Sequence, residues 1–548
     1  MYECPTCGGN LRFDIPRQKL YCDYCGTQID PYQFPPPSGA EEEYQVTIFI
    51  CPQCGGQIIS EDTTAATFCS FCGASTILDS RISKERRPQY ILPFTKTKED
   101  CRAAYGKLLR RAIFAPKELK DEKQIEKFRG IYMPYWVYSF EKKEPVTFYG
   151  RKTRRRGDYL YTDHYQLDCQ VEEAYKGLAY DASSTFSDSL SNAIAPFDLG
   201  QGKAFVPAFL SGFYADTSDV EHYVYLSDAE EMVLWDAGRC LAKNPLCRKY
   251  HASQGPDQSM FQNALRPTRR TSELAMLPVW FLAYRNGDRV SYAVVNGQTG
   301  KAAADLPVDK KKYLIFSVIS AVPLFFLLNR FFTITPGKLL GLSALLAVLC
   351  ILISNAQLTR ILERESGEDD KGLSSARLAQ GKGNKNPGWE RRRGSRGRSW
   401  KPWDSSMGII MVMIVLFYGT AFLPVLLRQV LASRGLESSG ISGAVLSAVM
   451  MLSVMAVLHF LTLRQKGSRC FGGGHFREKC PTLGKPLAGI ILALLILLAN
   501  PVSDWFYYTG AVVCMGTVLW AIMDIIRQHN LLATRKLPQL NPRGGDEA

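Results

Sequence analysis

Histidine is scarce in this chain, 6 among 548 residues, and the six are dispersed. That scarcity removes the commonest general base and metal ligand from most of the sequence. No GxxxxGK(S/T) phosphate loop, HExxH pair, GxSxG elbow or HxE with a distal PCxxC is present. Phosphate cradling, zinc proteolysis, serine hydrolysis and base deamination each lack the residues they need. The front of the chain also lacks the basic start, apolar run and small-residue cleavage site of an export signal, so it is expected to stay in the cytoplasm. Lys and Arg are absent between Cys51 and Asp79. The apolar runs of the C-terminal half hold no centrally placed Asp, Glu, Lys or Arg, the groups a transport pathway normally places at membrane depth.

The net charge of +14 hides a gradient. Residues 1–80 carry 3 Lys/Arg against 10 Asp/Glu, residues 81–305 carry 34 against 28, and residues 306–548 carry 29 against 14. The chain is acidic in front and basic behind, and its length implies several units rather than one core.

Eight of the 16 cysteines form four CxxC pairs within the first 72 residues. Cys4, Cys7, Cys22 and Cys25 are repeated 47 residues on by Cys51, Cys54, Cys69 and Cys72, with "CPTCGG" answered by "CPQCGG" and "CDYCG" by "CSFCG". Each CxxC turn aims two thiolates at one ion, and four sulfurs close a tetrahedron with no open position. Two structural zinc ions are therefore expected, held by a first ribbon over residues 1–33 and a second over 48–80, with a linker at 34–47. Such small units bury too little apolar surface to fold alone, so metal binding would supply their folding free energy. Redox pairs or an iron–sulfur site would fit less well, since no thioredoxin-like strand and helix surround the pairs. The first ribbon offers only Arg12, Arg17 and Lys19 to phosphates, and Glu41, Glu42 and Glu43 follow it. The ribbons are poor nucleic-acid binders and better suited to docking a protein.

Residues 81–309 read as a cytosolic α+β domain on an antiparallel sheet. Cys101, Tyr105, Leu108, Leu109 and Ile113 recur at helical period, and Pro116 is expected to open a second short helix. "GIYMPYWVYSF", "EPVTFYG" and "YLYTDHYQLDCQVEEAYKGLAY" read as three strands, with "RKTRRRGD" a solvated basic hairpin tip. Residues 228–273 read as mainly helical, and Cys240 and Cys247 lack the spacing of a metal site. Asn286-Gly287 and Asn296-Gly297 mark turns between apolar runs.

Apolar runs at 313–332, 339–357, 407–427, 441–463, 487–502 and 505–526 suggest about six transmembrane helices, in pairs over 310–359, 406–463 and 487–526. Basic residues crowd the loops at 360–405 and 464–486 and the tail at 527–548, which places both termini in the cytoplasm of a multi-pass inner-membrane protein. The first of these loops, with Arg391, Arg392, Arg393, Arg396 and Arg398 beside Trp389, Trp400 and Trp403, is the candidate contact for anionic lipid, with nucleic acid a rival ligand. In the second loop His475 lies between Cys470 and Cys480 without ribbon spacing.

The two ribbons together with "YILPFTKTKEDC", "FAPKEL", "FRGIYMPYWVYSF" and "LPVWFLAYRNGDRVSYAVVNGQTGK" resemble bacterial membrane proteins with tandem TFIIB-type zinc ribbons, over roughly residues 1–312. Some of these carry a replication-restart helicase label, which would require the phosphate loop missing here. Relatives of this kind can occur beside SPFH-type and PspA-like membrane-stress proteins, which implies a role in membrane organisation or stress. The expectation is a zinc-binding membrane adaptor that recruits a protein partner through its acidic ribbons and α+β domain. The competing readings are a transporter or lipid-modifying enzyme regulated by its ribbons, and a membrane-tethered nucleic-acid binder acting through the 360–404 loop.

Overall fold

The computed structural model describes residues 2–34, 43–60, 69–74, 79–252, 263–331, 335–366, 369–380 and 484–536. The apolar runs at 407–427 and 441–463, residues 381–405 of the basic loop before them, and the Cys470–Cys480 loop lie outside the described residues.

The first cysteine repeat builds a sheet of its own from β1 (Leu11–Asp14), β2 (Lys19–Cys22) and β3 (Gln28–Ile29), all antiparallel. A mixed sheet of 12 strands follows. Its members are β4 (Glu43–Ile50), β5 (Gln57–Ile59), β6 (Asp79–Arg86), β7 (Tyr90–Ile91), β8 (Arg129–Arg156), β9 (Tyr159–Asp181), β10 (Lys203–Ala204), β11 (Tyr214–Asp216), β12 (Arg269–Asn286), β13 (Arg289–Asn296), β14 (Ala302–Ala304) and β15 (Arg535–Lys536). Most pairings are antiparallel, while β7 with β12 and β8 with β11 are parallel. "GIYMPYWVYSF" and "EPVTFYG" are one strand, not two, because β9 pairs along β8 from Tyr135 to Arg156 across the polar residues between them. The two-residue turn Gly157-Asp158 joins these strands at a fully exposed tip, Gly157 taking a positive φ of 60°, the left-handed conformation that glycine adopts at no steric cost.

The helices flanking the sheet are α1 (Lys98–Arg111), α2 (Glu122–Ile125), α3 (Asp188–Ile194), α4 (Leu226–Lys243) and α5 (Pro245–Lys249). Thr97 and Asp100 form a capping box at the start of α1, and Cys101, Tyr105 and Leu109 face the core. Ile113 lies past the helix end and is exposed, and Pro116 leads into a 3-10 turn rather than a helix. The β12–β13 turn falls on Gly287-Asp288, one residue later than expected, since Asn286 still pairs with Arg289.

β8 and β12 are apolar on both faces, so alternate residues enter different cores. Tyr132, Met276, Trp280 and Leu282 join a core that contains Leu11, Phe13, Leu20, Cys22 and the buried side of α1. Ile131, Met133, Ala275, Leu277, Val279 and Phe281 join a second core that contains Cys51, Cys54, Cys69, Phe71 and Cys72. The two cysteine repeats therefore pack on opposite faces of the same central strands.

Beyond the sheet run α6 (Lys310–Phe331), α7 (Pro336–Ser366), α8 (Lys371–Gln380), α9 (Gly484–Ala499) and α10 (Asp504–Leu532). Among the described residues, Pro336–Glu365 and Asp504–Leu532 are long and apolar enough to cross a membrane, two of the four expected runs that fall within them. At 16 residues α9 reaches about 24 Å, short of a hydrocarbon core of about 30 Å. In α6 the apolar stretch between Lys312 and Arg330 is at the short end of the roughly 17–25 residues that a span uses. The last two helices do form the expected hairpin, where Asn500 takes a positive φ of 43° and accepts a 2.7 Å hydrogen bond from the Tyr507 hydroxyl.

Candidate metal centres

Two groups of four cysteines could hold a metal ion: Cys4, Cys7, Cys22, Cys25 and Cys51, Cys54, Cys69, Cys72. In each group all sulfurs lie within 4.8 Å of one another. Across the first, Cys4–Cys25 and Cys7–Cys22 are separated by 3.5 and 3.4 Å; across the second, Cys51–Cys72 and Cys54–Cys69 by 3.8 and 3.7 Å. A tetrahedral zinc ion with Zn–S bonds of about 2.3 Å spaces its sulfurs about 3.8 Å apart, so both groups fit it.

The same local fold produces all four CxxC turns. Gly8 and Gly55 donate back to the carbonyls of Cys4 and Cys51 at 2.8 and 2.7 Å, and Gly26 and Gly73 do so to Cys22 and Cys69 at 2.9 and 3.1 Å. These four glycines have φ between 69° and 74°, a region costly for side chains with a Cβ. The second glycine of each CGG has a different task. A Cβ at Gly9 would stand 3.3 Å from the sulfurs of Cys7 and Cys22, and one at Gly56 would stand 3.3 Å from that of Cys54. Only a residue without a side chain lets the backbone lie this close to the thiolates.

Electrostatics give the same answer. Cys51 is held far below the usual thiol range by hydrogen bonds from Cys54, Cys69 and Cys72, while Cys54 is pushed far above it by Cys51, Cys69 and Cys72 and by burial. In the first group burial raises the Cys4 thiol, but backbone hydrogen bonds at Thr6 and Cys7 outweigh it and bring it down to about 6. The Gly9 amide works to lower Cys7, yet Cys25 and Cys22 push it up to about 12. Sulfurs this crowded stabilise a thiolate at one position at the expense of its neighbours; a divalent cation is what lets all four ionise.

The two centres differ in what surrounds them. All four cysteines of the second are buried, whereas Cys7 and Cys25 of the first are exposed. The second is sewn into the large sheet: β5 pairs with β4 and β11, the Tyr292 hydroxyl donates to the Phe71 carbonyl at 2.9 Å, and Arg285 donates to Gln53 at 2.9 Å. The first is held through its strands, with the Phe13 amide on the Ser211 carbonyl at 3.0 Å and Phe13 against Phe209 at 5.3 Å between centroids. Sequence spacing found the eight cysteines that the structure gathers into two groups of four. It missed Arg285 and Tyr292, more than 200 residues away, for which no local pattern exists. Arg391, Arg392, Arg393, Arg396 and Arg398 lie outside the described residues.

No protein-family model and no solved structure matches the chain. It is similar to the uncharacterized protein YdjG of Bacillus subtilis strain 168, at 30% identity over 319 residues that cover 57% of this chain and 91% of the relative. At that identity and coverage, over a chain whose described front end is built on two zinc-ribbon-like Cys4 clusters, this protein belongs to the same family as YdjG.

Proposed function

We propose that the protein is a membrane adaptor, in which two structural zinc ions stabilise a cytosolic sheet domain that recruits a protein partner while its helices hold the assembly in the inner membrane with both termini in the cytoplasm. The observation that carries this reading is the outward face of the helices. Leu314, Ile315, Phe316, Ile319 and Phe326 on α6, Leu342, Leu349 and Ile353 on α7, and Trp505, Phe506, Val512, Leu519 and Trp520 on α10 are all exposed. Helices of a soluble core would cover such residues, and a belt of this size calls for lipid. The spans proposed at 407–427 and 441–463 and the arginines from Arg391 to Arg398, facing anionic headgroups, complete the anchor. Four sulfur donors at each metal leave no open coordination position, which suits a structural task.

Cys22→Ser tests the proposal in the intact protein. Zinc content is expected to fall by half and partner capture from gently solubilised membranes to be lost, while the protein stays in the membrane fraction. Unchanged capture by the zinc-depleted variant would overturn the adaptor reading.

A further inference from the structure

The cysteine repeat superimposes two aromatic residues that meet opposite fates. Tyr24 and Phe71 each precede the last cysteine of their ribbon, 47 residues apart. Both rings sit over the second glycine of their CGG turn in the same way: a Cβ at Gly9 would be 2.7 Å from Tyr24 Cδ2, and one at Gly56 would be 2.7 Å from Phe71 Cδ2. The local geometry is thus shared, and only the cover differs. Phe71 is 1% exposed and Tyr24 84%.

What covers Phe71 is known in detail. It lies against the β12–β13 hairpin, ring to edge with Phe281 at 6.1 Å, its carbonyl accepting from the Tyr292 hydroxyl, while Arg285 of the same hairpin donates to Gln53 in the neighbouring CxxC turn. The hairpin supplies an aromatic ring and two side-chain donors; the ribbon supplies a ring and two acceptors. In the first ribbon the corresponding surface, Pro5 to Gly8 and Asp23 to Gly26, is exposed throughout. Glu3 and Asp23 border it, and a zinc ion held by four thiolates would add a further net charge of about −2.

We propose that the knuckle of the first ribbon, centred on Tyr24, is the docking site for an antiparallel β-hairpin of a different protein, which presents an aromatic ring to Tyr24 and an arginine or lysine to the acidic rim. The inference rests on the adaptor reading and names the surface that would do the recruiting. A second copy of this chain is not the occupant through its own β12–β13 hairpin, because that hairpin already carries the second ribbon of its own molecule. The ring of Tyr24 is pre-positioned, so binding would order little that is free beforehand.

The full chain, with a photo-crosslinking phenylalanine analogue at position 24 or, as control, at the exposed Lys19 by the β1–β2 turn, is irradiated in cells and the cross-linked peptide is identified. The expected result is a heterologous adduct at position 24 and not at 19, mapping to a strand pair that contains an aromatic residue and Arg or Lys. With that protein purified, Tyr24→Ala is expected to weaken binding at least tenfold and Tyr24→Phe to preserve it, since Phe stands at the equivalent position 71. Both variants are expected to keep the full zinc content. No adduct above the control, an adduct to lipid or to a second copy of the chain, or an adduct to a helix would overturn the proposal. If Tyr24→Ala still captures the partner that Cys22→Ser loses, this surface is wrong and the adaptor reading stands; if Cys22→Ser also captures it, the adaptor reading itself falls.

Discussion

Tyr24 and Phe71 show how one side-chain position acquires two roles. Burying a large aromatic ring removes apolar area from water and fills volume that the surrounding side chains cannot fill by collapsing. Phe71→Ala should therefore cost about 3–5 kcal/mol, read as a lowered urea midpoint of the cytosolic domain. Tyr24→Ala should stay within about 0.5 kcal/mol of the parent in the same measurement, because its ring is in solvent on most sides. An equal loss in the two variants would mean that the first ribbon's ring is covered in the folded protein.

At the scale of elements, α8 is docked on the sheet domain by a cluster of carboxylates. Asp370 caps it by accepting from the Leu373 amide at 2.8 Å, the Lys371 amide donates to Asp188 at 2.9 Å, and the Lys371 ammonium pairs with Asp228. Burial, then the nearby charge of Asp188, pushes the Asp370 carboxyl up to about 7, against the Leu373 amide and Arg535, which act to lower it. Asp181 beside them is also raised, chiefly by burial and then by Asp188 and Asp370. A carboxyl whose folded value lies above its unfolded value favours the docked state fully below the unfolded value and loses that contribution as pH rises through the folded one. Hydrogen-exchange protection of the α8 amides, corrected for intrinsic rate, should therefore increase as pH falls from about 7 to about 4. Asp370→Asn should flatten much of that dependence, and an unaltered profile would assign it to Asp181 alone.

For the whole molecule, the question is what ties the helices to the sheet. Arg289 at the start of β13 donates to Glu365 at the end of α7 at 3.2 and 3.1 Å, and to the carbonyls of Leu531 and Thr534 at the end of α10 at 2.9 and 2.8 Å. Arg364 pairs with Asp305 at 3.1 Å, and β15 adds Arg535 and Lys536 to the edge of β13. The Arg289 and Glu365 side chains are only 15% and 9% exposed, so removing one partner leaves a poorly solvated charge. Arg289→Ala should destabilise the junction by about 3–5 kcal/mol, and a double-mutant cycle with Glu365→Ala should recover a large part of that loss. The same strand carries Tyr292, which bonds the second ribbon. Helix ends and metal centre thus share β13.

The sequence by itself determined the two four-cysteine groups that could hold metal and the long apolar segments. A CxxC turn is local, its glycines serve the same few residues, and an apolar run of span length states its own preference for solvent. The tertiary structure alone decided that the second ribbon is part of the core while the first presents its knuckle, and that the two grip opposite faces of β8 and β12. Both ribbons carry nearly the same turn chemistry, so no local pattern separates them. What separates them is which face of a distant hairpin each can reach, a choice made by long-range pairing and by burial on the two sides of the sheet.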